Sequence, residues 1–194
     1  MANKSKTNKQ ENESWGRTIL DAVIMVAVIW AAFWLLFRAS FAPFSNDRVS
    51  GISMQPTFED NDRLIASRKF QPKRNITVVL YAPKAANDQP GAVYIKRMIG
   101  LPGDTIVSKN DQIYVNGKQL PEPYLNNNYK KADNDRGMTY TNNFTVKVPK
   151  GKYFVMGDHR DVSKDSRIFG FVKRSEFIGQ VKLRYWPFNK IQTY

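Results

Sequence analysis

Residues 18–37 read TILDAVIMVAVIWAAFWLLF, twenty residues in which Asp21 is the one charge. At about 1.5 Å of rise per residue, a helix of this length spans the apolar core of a bilayer. Its aromatic residues lie toward the C-terminal end, as they do at a membrane interface: Trp30, Phe33, Trp34 and Phe37. The run therefore predicts a membrane-spanning helix and argues against a helix buried in a protein core.

A removed signal peptide is the main alternative for this run. The nearest cleavage-like site, residues 40–42, is followed by Pro43, and proline after the scissile bond should block cleavage. We therefore expect the run to remain as an anchor. Basic residues are more frequent before it than just after it: Lys4, Lys6, Lys9 and Arg17, against Arg38 and Arg48.

This asymmetry predicts a cytoplasmic N-terminus, because positive charge near a membrane span stays inside. Residues 1–17 would form a cytoplasmic polar tail, expected to be disordered. Residues 18–37 would form the transmembrane anchor, and residues 38–194 would form an extracytoplasmic domain.

The chain carries 30 Lys and Arg against 17 Asp and Glu, a formal charge of +13. The basic residues are scattered and form neither an RNA-binding aromatic motif nor a basic helix, which argues against a nucleic-acid partner. An anchored domain lies close to lipid, so the anionic head groups of membrane lipids are the expected electrostatic partner. The oligomeric state has no sequence signal.

Zero Cys excludes disulfides, a thiol nucleophile and cysteine-based zinc sites. The single histidine, His159, excludes a His-rich metal site as well. We expect no metal and no cofactor.

Beyond residue 44 the sequence alternates between short β-like segments and turn signals. Asn116-Gly117 predicts a tight hairpin, and Pro102-Gly103 fits a type II turn. The candidate strands are residues 63–67, 76–81, 92–99, 105–108, 112–115, 144–148, 153–156 and 178–185.

This pattern predicts a mainly β fold: an N-terminal transmembrane helix followed by an antiparallel β core with a smaller inserted β lobe. The lobe would cover about residues 105–155. Within it, residues 121–143 are rich in Asn, Asp and Lys and are expected to form a surface excursion.

The first candidate for chemistry is the turn SGISMQPT, residues 50–57, in which Ser53 stands between a bend and a proline. Such a turn can present a hydroxyl, although serine in a turn is usually only a turn residue. Its spacing departs from the G-x-S-x-G elbow, because Gln55 occupies the second glycine position.

A serine nucleophile needs a base, and the sequence offers two. His159 is the one histidine available for a Ser-His-Asp triad. Lys96 lies in AVYIKRMI, residues 92–99, where strand alternation places it on one face with Tyr94 and Met98. Burial there would lower the lysine pKa and yield an amine able to accept the serine proton. The alternative is an edge-strand lysine whose ammonium stays in water.

The third cluster is GDHRDVSKDSRIFG, residues 157–170, which is dense in acidic and hydroxyl residues. Its aspartates miss the spacing of a calcium loop. Asp165 and Arg167 could pair while Ser163 and Ser166 bond to the backbone. The hydroxyls could equally orient a neutral lysine amine, and the composition leaves both roles open.

These clusters, in this order behind an N-terminal anchor, resemble type I signal peptidases, the membrane-anchored serine proteases that cut signal peptides from exported preproteins. The resemblance rests on SMQPT at 53–57, YIKRMIGLPGD at 94–104 and GDHRDVSKDSR at 157–167. With the anchor, these strings cover nearly the whole chain, at the length of the shorter, single-anchor members. The implied fold is mostly β, with a catalytic core interrupted by a variable lobe.

The resemblance implies a Ser-Lys dyad in which Ser53 is the nucleophile and Lys96 the general base, so that residues 38–194 become the catalytic domain. It also implies a serine that orients the lysine amine through a hydrogen bond, a structural ion pair and a neighbouring supporting carboxylate: Ser163, Asp165 with Arg167, and Asp158, in that order.

The sequence departs from the family pattern at three places. Gly51 stands where many members have a serine whose hydroxyl helps to bind the oxyanion, as in a known subset of the family, so the backbone N–H of Ser53 is the chief expected oxyanion donor. His159 stands where the family usually has Asn and is given no catalytic role. Arg74-Asn75 replaces a Gly-Asp pair, which concerns only a local turn.

The implied substrates are the signal peptides of preproteins, cut after Ala-x-Ala-type sites. An extended segment of substrate would pair with a strand edge around residues 47–51. The expected substrate-binding residues are Val49, Gly51, Tyr94 and Ile95.

Other interpretations remain open on the residues themselves. One is a Ser-His protease that uses His159, and another is an anchored, non-catalytic protein that binds export partners or cell-surface polyanions. Self-cleaving repressors share Ser-Lys chemistry, but the anchor and the lack of DNA-binding helices before Ser53 argue against that class.

Overall fold

The computed structural model describes residues 2–41, 43–125 and 127–194. Met1, Ala42 and Asn126, which fall in the predicted tail, the cleavage-like site and the predicted excursion, lie outside the described residues. The chain divides into two units, Met1–Pro43 and Phe44–Tyr194.

The first unit is a helix, α1, over Ala2–Phe41. Its part Arg17–Arg38 is long and apolar enough to cross a membrane, and no other helix in the described ranges is. The large apolar side chains from Ile19 to Phe37 are more than half exposed, unlike those of a core helix. The described part of the polar tail continues this helix, and its disorder stays a prediction. Once the apolar segment is helical, each added residue gains a hydrogen bond without new nucleation.

The second unit consists mainly of short antiparallel strands. They are β1 (Phe44–Arg48), β2 (Arg63–Ser67), β3 (Thr77–Tyr81), β4 (Val93–Gly100), β5 (Thr105–Lys109), β6 (Gln112–Val115), β7 (Lys118–Gln119), β8 (Phe144–Lys147), β9 (Lys152–Met156), β10 (Val172–Lys173), β11 (Phe177–Trp186) and β12 (Gln192–Thr193). The helices are α2 (Asn127–Asp135) and α3 (Ser166–Phe169), with 3-10 turns at Lys84–Ala86, Arg174–Glu176 and Phe188–Lys190.

The strands form a larger and a smaller sheet. The larger has the order β1-β2-β11-β3-β4-β9-β10, with β12 paired to β11, and the smaller has the order β7-β6-β5-β8. The predicted mainly β, antiparallel fold with an N-terminal apolar helix is confirmed. Every predicted strand is present to within one residue at each end. The strands that the sequence analysis did not predict are short or polar and show no alternation of apolar residues: β1, β7, β10 and β12.

Apolar side chains cover both faces of the larger sheet, as β3 illustrates. Every residue of β3 except its last is buried. Val79 packs in one apolar cluster, while Val78 and Leu80 pack in another. A continuous apolar run is what a strand covered on both faces requires.

The smaller sheet runs from Thr105 to Lys147, and its turns follow the sequence signals. Asn116 and Gly117 have φ of 52° and 78°, as a two-residue hairpin needs. Gly103 has φ of 91°, as the third position of a type II turn needs. The expectation for residues 121–143 is incomplete, because that stretch contains α2. A short polar helix depends on tertiary contacts more than on its own periodicity.

Candidate active site

The turn that carries Ser53 lies between β1 and β2. Met54 and Phe58, which follow Ser53 in the sequence, are buried and anchor the turn in the apolar core. The backbone closes on itself where Gln55 N–H donates to the Ile52 carbonyl oxygen at 3.0 Å. The N–H of Ser53 donates to no backbone acceptor among the described residues, so it is available to a ligand.

Lys96 approaches this turn from β4. Its Nζ lies 2.7 Å from Ser53 Oγ, and the residue is only 3% exposed. Burial lowers the pKa of Lys96 from 10.5 to about 8, against the opposing pull of Asp165 and Asp158. An amine with this pKa is substantially neutral at slightly alkaline pH and can accept a proton from the serine hydroxyl.

Asp158 supports the site through a buried ion pair with Arg97, the residue after Lys96. Arg97 Nε and Nη2 donate to the two carboxylate oxygens at 2.8 and 2.7 Å, and Asp158 is fully buried. Thr57 Oγ1 also donates to Asp158. The pair therefore ties the nucleophile turn, β4 and the loop after β9 together.

Asp165 and Arg167 form the ion pair predicted from the sequence. Arg167 donates to both oxygens of Asp165, through Nε at 2.8 Å and Nη2 at 2.7 Å. Asp165 also accepts from the backbone N–H of Arg167, which caps α3 at its N-terminus, and from that of Gly157 at 2.9 Å. The carboxylate thus fixes the loop that faces Ser53.

Gly157 is a functional residue that the sequence analysis did not single out. A Cβ at this position would lie 2.5 Å from the Ser53 carbonyl oxygen and would also clash with the Ser163 side chain. Glycine permits this close backbone approach, and any side chain would push the loop away from the nucleophile turn.

Ser163 is close to these residues, but its hydroxyl is not in the predicted contact. Its Oγ is buried and has no hydrogen-bond partner within the ranges that the structure describes. The expected hydrogen bond to the Lys96 amine is therefore not formed in this structure, in which Lys96 Nζ is directed at Ser53 Oγ. The orienting role of Ser163 stays a prediction. Ser163 also lines a separate cavity of about 720 Å³.

A cleft of about 220 Å³ borders Ser53 and Lys96. It lies between residues 46–50 and the first half of β4. The cleft residues include those expected to form pocket walls: Val49, Tyr94 and Ile95. The structure thus brings these predicted residues together with the dyad candidates.

Both sides of this cleft have free strand edges. β1 pairs with β2 and is the terminal strand of the larger sheet. β4 pairs with β9 only from Arg97 onward, so residues 93–96 have no partner strand on that side among the described strands. Unpaired backbone groups of this kind can bind an extended peptide.

Gly51 is not among the cleft-lining residues of the described chain, and its contact with substrate stays a prediction. Its N–H donates to Asp60 Oδ1 at 2.8 Å, and its φ of +88° marks a left-handed turn position. Glycine is favoured there because other residues are strained at such an angle. Gly51 shapes the turn before Ser53.

His159 lies behind the nucleophile turn and not beside the hydroxyl. Its Nδ1 faces the Ile52 carbonyl oxygen at 3.3 Å and its Nε2 faces Asp161. No contact between the ring and Ser53 Oγ occurs among the described hydrogen bonds. This geometry does not support a Ser-His-Asp triad.

The other residues that the sequence analysis missed are Arg97 and Thr57. The one available signal for Arg97 was a charged residue inside a strand with apolar neighbours, which demands a buried counter-ion. This signal does not identify the partner, because Asp158 lies 61 residues away in the sequence.

The described residues contain no group of three or more His, Cys, Asp or Glu that could hold a metal ion.

Comparison with known proteins gives a consistent result. A family model described as "Signal peptidase, peptidase S26" matches residues 14–186. The chain is 37% identical over 191 residues to Signal peptidase IB of Staphylococcus aureus (strain COL), covering 91% of this chain and 94% of that protein. It is 41% identical over 196 residues to Signal peptidase I of Bacillus amyloliquefaciens, covering 97% and 96%.

Among solved structures, a signal peptidase I from Enterococcus faecalis V583 aligns with a TM-score of 0.48 and 34% identity. The alignment covers 57% of this chain and 97% of that one.

Proposed function

The chain belongs to the signal peptidase family, peptidase S26, and from that membership we propose that its removal of signal peptides from preproteins runs on a Ser53-Lys96 dyad. The observation that carries the proposal is the 2.7 Å contact between Lys96 Nζ and Ser53 Oγ. The lysine in this contact is buried, and its pKa is lowered to about 8. A nucleophile beside a base that can be neutral is what acyl transfer requires.

In the first half of the reaction, the neutral amine of Lys96 accepts the Ser53 proton while Oγ attacks the scissile carbonyl carbon. The carbonyl electron pair moves to its oxygen and forms a tetrahedral oxyanion. When this intermediate collapses, the C–N bond breaks and the Lys96 ammonium gives its proton to the departing amine of the mature protein. The signal peptide is left esterified to Ser53.

In the second half, Lys96 takes a proton from a water molecule whose oxygen attacks the ester carbonyl. The new oxyanion collapses, Ser53 Oγ leaves, and the ammonium returns the proton to it. The backbone N–H of Ser53 is the proposed oxyanion donor in both halves. It donates to no backbone acceptor in the described chain, and Gly51 offers no hydroxyl beside it.

The remaining polar residues would hold the dyad in place. Asp158 and Asp165 raise the pKa of Lys96 while burial lowers it. Each carboxylate is paired with an arginine, Arg97 or Arg167, so their influence on the amine is limited. Ser163 would orient the lysine amine after rotation of its hydroxyl, because its Oγ is buried and unpartnered in the described residues.

We further propose that cleavage follows Ala-x-Ala-type sites. An extended substrate would pair with the free edge of β1 and the open part of β4, and its alternate side chains would then enter the cleft. The cleft is small, about 220 Å³. Val49, Tyr94 and Ile95 are the proposed walls that admit alanine at the positions one and three residues before the cut.

The arrangement in the cell is also a proposal. Residues 1–17 would form the cytoplasmic tail, residues 18–37 would span the membrane and residues 38–194 would form the extracytoplasmic catalytic domain. The apolar length of Arg17–Arg38 and the basic residues before it support this orientation. The excess positive charge would favour anionic lipid head groups, and anchoring would raise the effective concentration of membrane-held preproteins.

The test is cleavage of a preprotein with an Ala-x-Ala site by the full-length protein in detergent. Ser53→Ala and Lys96→Ala should each abolish cleavage, while the exposed-site controls Ser175→Ala and Lys150→Ala should cleave like the parent. N-terminal sequencing of the product identifies the cut bond. A second substrate with Leu at the position before the cut should resist cleavage.

Different failures would point to different parts of the proposal. Activity in Ser53→Ala or Lys96→Ala would exclude the dyad, and cutting at other bonds would exclude the proposed site preference. Equal rates of cleavage of membrane-held preprotein by the full chain and by a chain lacking residues 1–37 would exclude the role given to the anchor.

A further inference from the structure

His159, the one histidine in the sequence, contacts both peptide groups that flank the proposed nucleophile. Its backbone N–H donates to the Ser53 carbonyl oxygen at 3.1 Å. Its Nδ1 lies 3.3 Å from the Ile52 carbonyl oxygen. The residue is 8% exposed, so these contacts are made away from bulk water, where hydrogen bonds orient groups most strongly.

The contact with Ile52 matters because its carbonyl and the N–H of Ser53 belong to the same peptide group. A peptide group is planar, so holding the carbonyl oxygen also fixes the direction of the N–H on the opposite side. A donor on the carbonyl oxygen also polarises the peptide and strengthens its N–H as a donor. The N–H of Gln55 donates to the same oxygen at 3.0 Å, so a protonated Nδ1 would be the second donor to this carbonyl.

The His159 ring is itself held by one residue of another segment, Tyr129, and by one residue of its own loop, Asp161. Tyr129 of α2 stacks on it with ring centroids 4.1 Å apart and an angle of 11° between the planes. Asp161 Oδ1 lies 3.2 Å from Nε2. The Tyr129 hydroxyl also donates to Gln55 Oε1 at 3.2 Å. Helix α2 of the lobe therefore supports both the ring and the nucleophile turn.

We propose that His159 is a positioning residue for the oxyanion donor: its Nδ1–H holds the Ile52 carbonyl and so aims the N–H of Ser53 at the oxyanion. The inference rests on the proposed function. A carbonyl oxygen can only accept a hydrogen bond, so Nδ1 must carry a proton for the contact to form. The Asp161 carboxylate that faces Nε2 is also only an acceptor, so both hydrogen bonds form together in the charged ring and compete for the one proton of the neutral ring. The contact carries more weight in this chain because Gly51 has no hydroxyl to share the oxyanion.

The first test measures directly which nitrogen of the His159 ring carries a proton. Because the sequence has one histidine, selective imidazole ¹⁵N labelling of the full-length protein in detergent yields signals from His159 alone. At a pH at which the parent cleaves substrate, we expect Nδ1 to be protonated. A neutral ring with its proton only on Nε2 would overturn the proposal, whatever the activity of the protein.

The second test uses a matched pair of variants. The amide nitrogen of Asn can occupy the position of Nδ1, whereas that of Gln reaches the position of Nε2. His159→Asn keeps a donor for the Ile52 carbonyl, and we expect its kcat to stay within about threefold of the parent. His159→Gln faces Asp161 instead, and we expect kcat to fall about tenfold with KM changed less than twofold, since removing an oxyanion donor outright costs about 10²–10³.

Equal losses of kcat in the two variants, or a change confined to KM, would contradict the proposal. Tyr129→Leu, which removes the stacked ring, should lower kcat more than Tyr129→Phe, which keeps it, and the reverse order would also count against the role of His159. Loss of the dyad itself is reported separately by Ser53→Ala. An active parent with full activity in His159→Gln would therefore reject only the positioning role.

Discussion

Lys96 and Arg97 are neighbours on β4, and both are buried, at 3% and 7% exposure. Arg97 meets the carboxylate of Asp158 through two hydrogen bonds. Lys96 meets the hydroxyl of Ser53, and no carboxylate lies within ion-pair distance of its Nζ in the described chain. Successive strand residues point in opposite directions, so β4 supplies both a guanidinium with a counter-ion, Arg97, and an amine that has no counter-ion in the described chain, Lys96. Burying an amine without a counter-ion costs stability, but such an amine can lose its proton and is therefore suited to act as a base.

Removing the ability of residue 96 to lose its proton should have the largest effect. Arginine stays charged at every pH of interest and cannot act as a base. We expect Lys96→Arg to lower kcat/KM by about 10⁴-fold, the scale of loss when a catalytic group is removed. Arg97→Lys, which keeps a cation opposite Asp158, should lose far less. Comparable losses in the two variants would erase the functional contrast between the neighbours.

Breaking the compensated pair should instead cost stability. Asp158→Ala leaves the buried guanidinium of Arg97 without its counter-ion, and such losses cost about 3–5 kcal/mol. Urea unfolding of the unit Phe44–Tyr194 measures the change, with the exposed Asp135→Ala as the control. A loss below about 1 kcal/mol would mean that water reaches Arg97 and replaces the carboxylate.

Replacing the amine by an apolar group should stabilise the fold. The pKa of Lys96 falls from 10.5 to about 8 on folding, so the unfolded chain binds more protons between these pH values and stability rises with pH across that window. Below pH 8 the cost is complete and amounts to about 3 kcal/mol. Lys96→Met should therefore be more stable than the parent at pH 7. The gain should shrink above pH 8 and vanish above about pH 10.5. A constant gain would contradict the lowered pKa.

The same pKa should govern the rate. Half of the Lys96 amine is neutral at pH 8, and well below that pH each unit of acidification reduces the neutral fraction about tenfold, so kcat/KM should fall about 50-fold between pH 8 and pH 6. Above about pH 9 it should level off, because the amine is already neutral. The His159→Asn variant should keep the same profile. A profile that moves with that substitution would assign the titration to the histidine.

The smallest effect is expected at an exposed ion pair. Lys131 and Asp135 lie 2.6 Å apart on α2 with both side chains more than half exposed. Pairs of this kind contribute about 0.3–0.5 kcal/mol. Lys131→Ala should therefore leave unfolding and kcat/KM almost unchanged. A loss near that of Asp158→Ala would show that burial does not separate the two kinds of pair.

Much of this molecule follows from local sequence patterns. The apolar run gives the helix of Arg17–Arg38, and alternation with turn residues gives the longer strands and the hairpin at Asn116-Gly117. Helix α2 could not be predicted in this way, because its sequence is polar and the contact that supports it, Tyr129 with His159, involves a residue outside the segment. The direction of the Ser163 hydroxyl could not be predicted either, because a rotamer depends on the residues that surround it.

By itself, the sequence determined the fold class, the apolar helix, the strand positions and, through family resemblance, the identities of Ser53 and Lys96 as the dyad candidates. The tertiary structure alone decided what these groups can do. It buried Lys96 until its pKa fell to about 8, brought Asp158 to Arg97 across 61 residues and turned His159 toward a carbonyl instead of a hydroxyl. Proton affinity and hydrogen-bond partners depend on groups distant in sequence and close in space, which no local pattern encodes.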